Sequence, residues 1–426
     1  MSYRQTEGKQ RTETNNQRKF MKHFSYDRPI KKYQSSLHRS IVGLISIGLV
    51  AFLAIGVSTA GAQMLIRQYN VTDLGVLPAK KARVSIPAAI NDQAQVTGTS
   101  GAISWDESAF LYESKGSKEA MKDIGKNALG INHGLALNGI GDVVGDATFG
   151  TKEGAVIHAA FFKNGIKNGK IADLGTLNGG VYSRATGINA SGQVVGFSSA
   201  KPDDSSTSRA FIWNASTGML DIGTLGGAAA QAFGINDSGF VTGTSHVATS
   251  SLPETTHAFI YPPELPGPNI QKMVDLGTLG GNDSYGMAIN ANNHVVGYST
   301  LNGGFDRVHA FLYDGRKMHD LGSLDASVSG NDQSYALGIN IIDQVVGYSY
   351  IPAGSEEGDR ASASPVRQTA FIYSQGAMMD LNGLLEPEAA ERYWLRAATG
   401  INNNGQIVAI AEDLIINEVH AVLLTY

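Results

Sequence analysis

Four histidines, His158, His257, His309 and His420, each precede Ala, and seven aspartates, Asp73, Asp123, Asp173, Asp221, Asp275, Asp320 and Asp380, each open an Asp-(Leu/Ile)-(Gly/Asn) triplet. Imidazole and carboxylate are the side chains of acid–base catalysis and of metal ligation, so these residues are the first candidates for chemistry. Their spacing argues otherwise. A metal site needs ligands close together on one element, as in His-x-x-x-His, whereas these residues recur once per several dozen positions. A residue that returns at that interval makes the same local turn or hydrogen bond each time, which is the role expected of the Asp. Asn282-Asp283-Ser284 and Asn331-Asp332-Gln333-Ser334 are oxygen-rich, but neither is a spaced acidic loop with a closing Glu. Neither Gly-x-Ser-x-Gly nor a P-loop nor a zinc-protease signature occurs. The expectation is no catalytic residue, no metal and no cofactor.

Aromatic side chains supply the remaining candidates. Tyr182, Tyr285, Tyr335 and Trp394 fall where one repeat hands over to the next, read as crossings just before a first strand. Their faces suit stacking on a sugar or clamping a peptide, and equally suit packing between repeats. The segment with Glu356, Glu357 and Asp359 is the most acidic and reads as a solvated loop.

What must position these residues is an internal repeat. An apolar residue followed by Asn recurs at Asn91, Asn138, Asn189, Asn236, Asn290, Asn340 and Asn402, at intervals of 47, 51, 47, 54, 50 and 62 residues. That period matches a four-stranded blade and is too long for a leucine-rich coil or a two-helix repeat. Three residues after each Asn stand Ala94, Gly141, Gly192, Gly239, Asn293, Asp343 and Gly405. All but Ala94 are types that tolerate the positive φ of a tight hairpin turn. A β-branched pair such as Val194-Val195 follows, then Gly98, Gly145, Gly196, Gly243, Gly297, Gly347 or Ala409. A small residue there is expected to let backbones approach near a crowded axis. The apolar runs centred on Phe110, Phe161, Phe211, Phe259, Phe311, Phe371 and Val422 read as third strands, and the Asp triplets close the fourth.

Seven such units predict an all-β fold, a seven-bladed β-propeller of four-stranded blades. The first Asp triplet precedes the first Asn, and the last repeat ends at Tyr426 without one. Residues 66–75 are therefore expected to pair with the strands around Asn402 to Leu424 and close the ring, leaving no long free edge. An open β-solenoid is the alternative, though it gives no reason for complementary ends. The links from second to third strand, at residues 198–208, 244–256, 299–308 and 349–368, read as long polar loops. They share a rim with the crossings between repeats, the last of which runs from Leu384 to Arg396. Elaborated loops on a rigid frame are where binding usually resides.

Residues 1–62 differ in kind. Ten Lys/Arg and three acids precede the apolar run Ile41 to Val57 and the small-residue stretch Ala60-Gly61-Ala62. This is the order of a secretory signal, with an uncleaved single-pass anchor by residues 41–62 as the alternative. Removing that basic leader from a chain of net charge −5 leaves residues 63–426 at about −12. An acidic, exported body argues against nucleic acid as a partner and limits any membrane contact to the N-terminal segment. Cysteine is absent, so packing and strand pairing alone hold the exported fold, expected to be a monomer.

The repeats resemble the extracellular HAF repeat family, named for His-Ala-Phe. His257-Ala258-Phe259 and His309-Ala310-Phe311 match that signature, Asp275 to Gly281 and Gly187 to Gly196 are similar to its other motifs, and Asp380 through Trp394 to Asn402 is similar to its terminal repeat. The resemblance covers roughly residues 69 to 426 and implies an exported bacterial repeat protein without an assigned catalytic residue. The function expected is non-catalytic binding of a protein or glycan through one rim. A polysaccharide-acting propeller hydrolase or lyase with paired carboxylates, or a structural envelope protein, are the alternatives. N-terminal sequencing of the exported product should read Gln63 first; a product that keeps residues 41–62 would establish the anchor instead.

Overall fold

The computed structural model describes residues 68–426 apart from 79–81, 102–106, 116–117, 127, 151–153, 165–170, 202–203, 249–254, 264–272, 303–306, 326–331 and 353–365. The leader and the acidic segment with Glu356, Glu357 and Asp359 lie outside the described residues. Among the described residues no helix is long and apolar enough to cross a membrane.

Strand follows strand through the whole described body. Residues 132–173, 183–221, 226–275, 280–320 and 334–380 each form one four-stranded sheet in sequence order. Residues 84–123 form a four-stranded unit of the same design, and residues 393–425 contribute three strands more. These last two groups join into one eight-stranded sheet through a single parallel pair, Val84 with Val419, and the strand Asn70–Asp73 completes it. Asn70–Asp73 pairs antiparallel with Val422 to Thr425, so the two ends of the described chain share one sheet. Stacking of Tyr69 on Tyr426, with ring centroids 4.3 Å apart, and a 2.6 Å hydrogen bond between their hydroxyls fasten that seam. One short α-helix, Pro387–Arg392, interrupts the pattern just before the last group.

The hairpin that the Asn motif predicts is present in every unit. All seven residues three positions after the Asn have positive φ: Ala94 at 56°, Gly141 at 81°, Gly192 at 79°, Gly239 at 83°, Asn293 at 64°, Asp343 at 61° and Gly405 at 77°. Ala94 thus adopts the left-handed conformation even though its type disfavours it.

The small residue of the second strand is required for a different reason from the one expected. A Cβ on Gly297 would lie 1.7 Å from the Tyr285 carbonyl oxygen, and one on Gly145 would lie 1.8 Å from that of His133. Both carbonyls belong to the first strand of the same sheet, beside a β-bulge that recurs in each unit, for example between Gly134 and Ala136. The bulge pushes the first strand's carbonyl toward its neighbour, so the close approach is within a sheet.

The predicted long loops are shorter than their sequence suggests, because the ladders continue into the polar residues. Of residues 198–208, 198–201 belong to the strand Val194–Lys201 and 204–208 to Asp204–Asn214. Likewise the strands Val345–Pro352 and Val366–Ser374 take up both ends of 349–368. The core is built by the third strands, whose Phe110, Phe211, Phe259, Phe311 and Phe371 are fully buried. Replacing Ala94 by Gly should raise stability by about 1 kcal/mol by removing left-handed strain. An unchanged or lower urea midpoint would contradict that reading.

Candidate functional site

The recurring histidines and aspartates face one another. His158, His257, His309 and His420 place Nδ1 at 3.0, 2.8, 2.7 and 2.8 Å from Asp173, Asp275, Asp320 and Asp73 respectively. Where a unit lacks the histidine, Arg209 meets Asp221 at 3.1 Å and the Ser108 hydroxyl donates to Asp123 at 2.7 Å. Each of the seven aspartates also accepts the backbone N–H two residues on, at 2.7–3.0 Å, as an Asx turn does. The His-Ala-Phe signature is thereby explained: its His orients the Asp that turns the chain out of the fourth strand. The oxygen-rich crossings are engaged as well. Asp283 accepts the Thr256 N–H, and Asp332 binds His309, Ser323 and Arg307.

The Asn side chains link neighbouring units. Nδ2 of Asn91, Asn138, Asn189, Asn236, Asn290 and Asn340 donates to the backbone carbonyl of the next Asn in the series, at 2.9–3.4 Å. Asn402 donates to the carbonyl of Asn91 at 3.0 Å, so the series returns to its start. A second link was not anticipated. Ser85, Ser183, Ser284 and Ser334 each accept the N–H of the Ala in the preceding unit's third strand at 2.8–2.9 Å and donate to a Gly carbonyl at 2.5–2.6 Å.

Against this regular frame one position varies in chemistry. Five residues before each Asn, on the first strand, stand Ile86, His133, Arg184, Gln231, Tyr285, Tyr335 and Ala397. Their cross-strand partners are Thr99, Asp146, Phe197, Thr244, Tyr298, Tyr348 and Ile410. The second and third units therefore carry charge at this level, and the fifth and sixth carry rings.

The charged group is tightly built. Asp146, 1% exposed, lies 2.5 Å from Nδ1 of its own unit's His133 and accepts Nε of Arg184 from the next unit at 2.6 Å. Nε2 of His133 reaches Glu107 of the preceding unit at 3.0 Å, so four charges tie three consecutive units. Burial opposes the charge on His133, but the charge and hydrogen bond of Asp146, with Glu107, outweigh it and raise the pKa from 6.5 to about 9. Burial likewise works against ionised Asp146, yet the Arg184 and His133 charges hold its carboxyl well below the usual range. Burial pushes the neighbouring Tyr182 phenol up to about 12.

Of the four sequence-nominated aromatics, Tyr285 and Tyr335 occupy that variable position, and Tyr298 brings them together. Tyr285 stacks on Tyr298 at 4.7 Å, Tyr298 meets Tyr335 edge-on at 4.9 Å, and Tyr335 stacks on Tyr348 at 4.7 Å. Both lie inside first strands and not in crossings, as does Trp394; only Tyr182 precedes its strand. Tyr182 stands apart, 6.0 Å from the Arg184 guanidinium. Trp394 lies against the Arg367 guanidinium, 3.6 Å from the ring centroid, and donates Nε1–H to the Gln368 carbonyl at 3.0 Å. The charged group and Arg367 went unnoticed in the sequence. Counting five residues back from each Asn would have exposed His133 and Arg184 of the former, though not their partners Asp146 and Glu107.

Residues 227–417 match a family model described as a protein of unknown function, DUF3466. No curated protein matches the chain. Among solved structures, the chain is similar to the β-propeller domain of the trilobed protease from Pyrococcus furiosus, with 8% identity, a TM-score of 0.47 and coverage of 80% of this chain and 93% of that one. Prolyl endopeptidases follow at 10% identity and TM-score 0.45, with 84% of this chain and 50% of theirs covered. A Trypanosoma rangeli sialidase in complex with sialic acid matches at 10% identity and TM-score 0.36, with 84% and 57% covered. The chain thus spans half the length of the second and little more than half that of the third. At identities and scores this low, none of the three carries an argument about its chemistry.

The charged group makes stability depend on pH in a defined direction. Because the folded pKa of His133 is raised, its contribution is complete below 6.5 and is lost as pH climbs through about 9. The depressed Asp146 works oppositely: its contribution is present at neutral pH and vanishes only as pH falls through a value below the ordinary carboxylate range. Asp146→Asn should cost about 3–5 kcal/mol by leaving the largely buried Arg184 guanidinium without its carboxylate. In urea titrations His133→Gln should flatten the alkaline loss of stability, and a slope identical to wild type would contradict the assignment.

Proposed function

We propose that this chain is an exported, non-catalytic β-propeller of seven four-stranded blades that holds a protein or glycan partner on one rim. The Asn bonds, which run from unit to unit and return to Asn91, support a closed ring of seven. Pairing of Asn70–Asp73 with the final strand supports a last blade shared by both ends of the body. The resemblance to HAF repeats and the basic leader with its apolar run favour export, to the periplasm or beyond, with a membrane contact only where the leader stays attached. A body of about −12 disfavours nucleic acid.

The observation that carries the non-catalytic reading is the pairing of the recurring acid–base side chains with one another, as in His257 with Asp275 at 2.8 Å. Glu107 and Asp146 flank one imidazole, but a glycosidase acid must hold its proton near neutral pH, and Asp146 is driven toward its ionised form. What differs between units is the rim of second-to-third-strand links and crossings. Tyr182, just before its first strand, and Tyr285, Tyr335 and Trp394, within theirs, are the nominated contacts.

A glycan and envelope-protein binding screen on the exported chain tests this. Binding should be found, should fall on Trp394→Ala, and should be accompanied by no new reducing ends or unsaturated products. Turnover of a polysaccharide would replace this reading with the hydrolase or lyase, and binding indifferent to all four aromatic substitutions would remove the nominated rim.

A further inference from the structure

We infer that Thr369 and Asp380, in the sixth unit, form a seat for a cationic N–H group, an imidazolium or an ammonium. In the other six units the residue just before the third-strand Ala or its equivalent supplies a donor to its Asp: Ser108, His158, Arg209, His257, His309 and His420. In the sixth unit that residue is Thr369, before Ala370. Register carries it to the same place. Phe371 stands opposite Asp380 as Phe311 stands opposite Asp320. Thr369, two residues before Phe371, therefore shares a face with Asp380 as His309 does with Asp320. The His309 ring closes that diagonal, with Nδ1 2.7 Å from its carboxylate. A threonine hydroxyl sits one bond beyond Cβ and stops short of it.

The two polar groups do not satisfy each other. Thr369 is fully buried, and its Oγ1 has no hydrogen-bond partner. Such a hydroxyl has given up water without replacement, which folded proteins rarely tolerate. Asp380 accepts the Asn382 N–H at 2.8 Å and its Nδ2 at 3.0 Å, both on Oδ1, and its Oδ2 accepts nothing from the described residues. Asn382 is not free to serve both oxygens, because its amide also holds Leu395, donating to the carbonyl at 3.1 Å and accepting the N–H at 2.7 Å. Burial raises the Asp380 carboxyl, and the Asn382 bonds do not reverse it. Burial opposes ionised Asp73 and Asp320 as well, yet their histidines bring both below the ordinary carboxylate value. What Asp380 lacks among the described residues is a positively charged N–H donor.

A group with two N–H donors satisfies both acceptors at once, one bond going to the carboxylate oxygen and one to the hydroxyl. Imidazolium is the shape that four other units house at this level, and ammonium brings three donors in a smaller volume. A neutral donor would leave the half-buried carboxylate uncompensated, so the seat prefers a cation. The donor set does not suit a metal: calcium takes about six to eight oxygens, and one carboxylate with one hydroxyl supplies too few. A body of about −12 draws cations toward it. The seat is independent of what the rim holds, since it is made by side chains of one ladder.

Melting curves of the exported chain in imidazole and in methylammonium chloride, against sodium chloride at equal ionic strength, test the inference. Either probe should raise the melting temperature along a saturating curve, as a ligand of the folded state does. Thr369→His should raise it by about 1–2 °C without any probe. That variant should also lose the response, because its own ring then meets Asp380. Asp380→Asn should lose the response as well, and in wild type the ¹³C shift of the Asp380 carboxyl should move to lower-pH ionisation when a probe is bound. No saturating rise, the same rise in either variant, or a lower melting temperature for Thr369→His would each overturn the inference. Acetylated amides of histidine and lysine separate the sources: binding of the free probes alone assigns a small amine, and binding of the amides too assigns a side chain of a protein partner. Glycan binding at the rim, present or absent, leaves these outcomes unchanged.

Discussion

One side chain amide, repeated seven times, does two jobs on which the rest of the body depends. Inside its own hairpin each Asn accepts the N–H four residues on, as Asn91 does from Gln95 at 3.0 Å, and so holds the turn. Its Nδ2 meanwhile donates to the next Asn's carbonyl, as from Asn402 to Asn91. The seven residues are only 2–7% exposed, so neither end of the amide has water as an alternative partner. Leaving either end unpaired in such a place costs a desolvation penalty of about 1–3 kcal/mol. Turn formation and the joining of units are therefore coupled through a single residue type, and no other amino acid offers the same donor and acceptor at that length.

The other recurring polar residues extend this logic outward along each sheet. Serines on first strands clamp the N–H of the third-strand Ala to a Gly carbonyl of the preceding unit. Aspartates turn the chain out of the fourth strand, and histidines orient the aspartates. A protein without cysteine has no covalent staple. Here hydrogen bonds repeated at every boundary, on top of the buried third-strand phenylalanines, take that place.

Because the frame is so regular, individuality is confined to few positions. The residue five before each Asn is charged in the second and third units and aromatic in the fifth and sixth, so neighbouring boundaries are held by different physics at the same level. Ion pairs there are buried and directional, while the tyrosine stack is broad and apolar. Arg367 with Trp394 is a third solution, in which ring and cation meet at partial exposure.

Much of this could be read without coordinates. The period of the Asn motif, the positive-φ turn residues and the alternation of apolar runs are local codes, complete within a few residues, and they specified four strands per unit and, within the expected residues 66–75, the pairing of Asn70–Asp73 with the last strand. The extent of strands was less legible. Polar residues such as Ser199 and Ser208 read as loop, yet a ladder tolerates them where their hydroxyls find partners, as the buried Ser199 does in the Val181 and Tyr182 N–H groups. The second-strand glycines were identifiable as necessary, but their reason, a bulged carbonyl of the facing strand, depends on register. Beyond legibility lay every contact between units: Asp146 with Arg184 of the next unit, Ser183 with Ala159, Arg367 with Trp394. Such partners are brought together by how sheets pack face to face, and that packing distance leaves no trace in the spacing of residues along the chain.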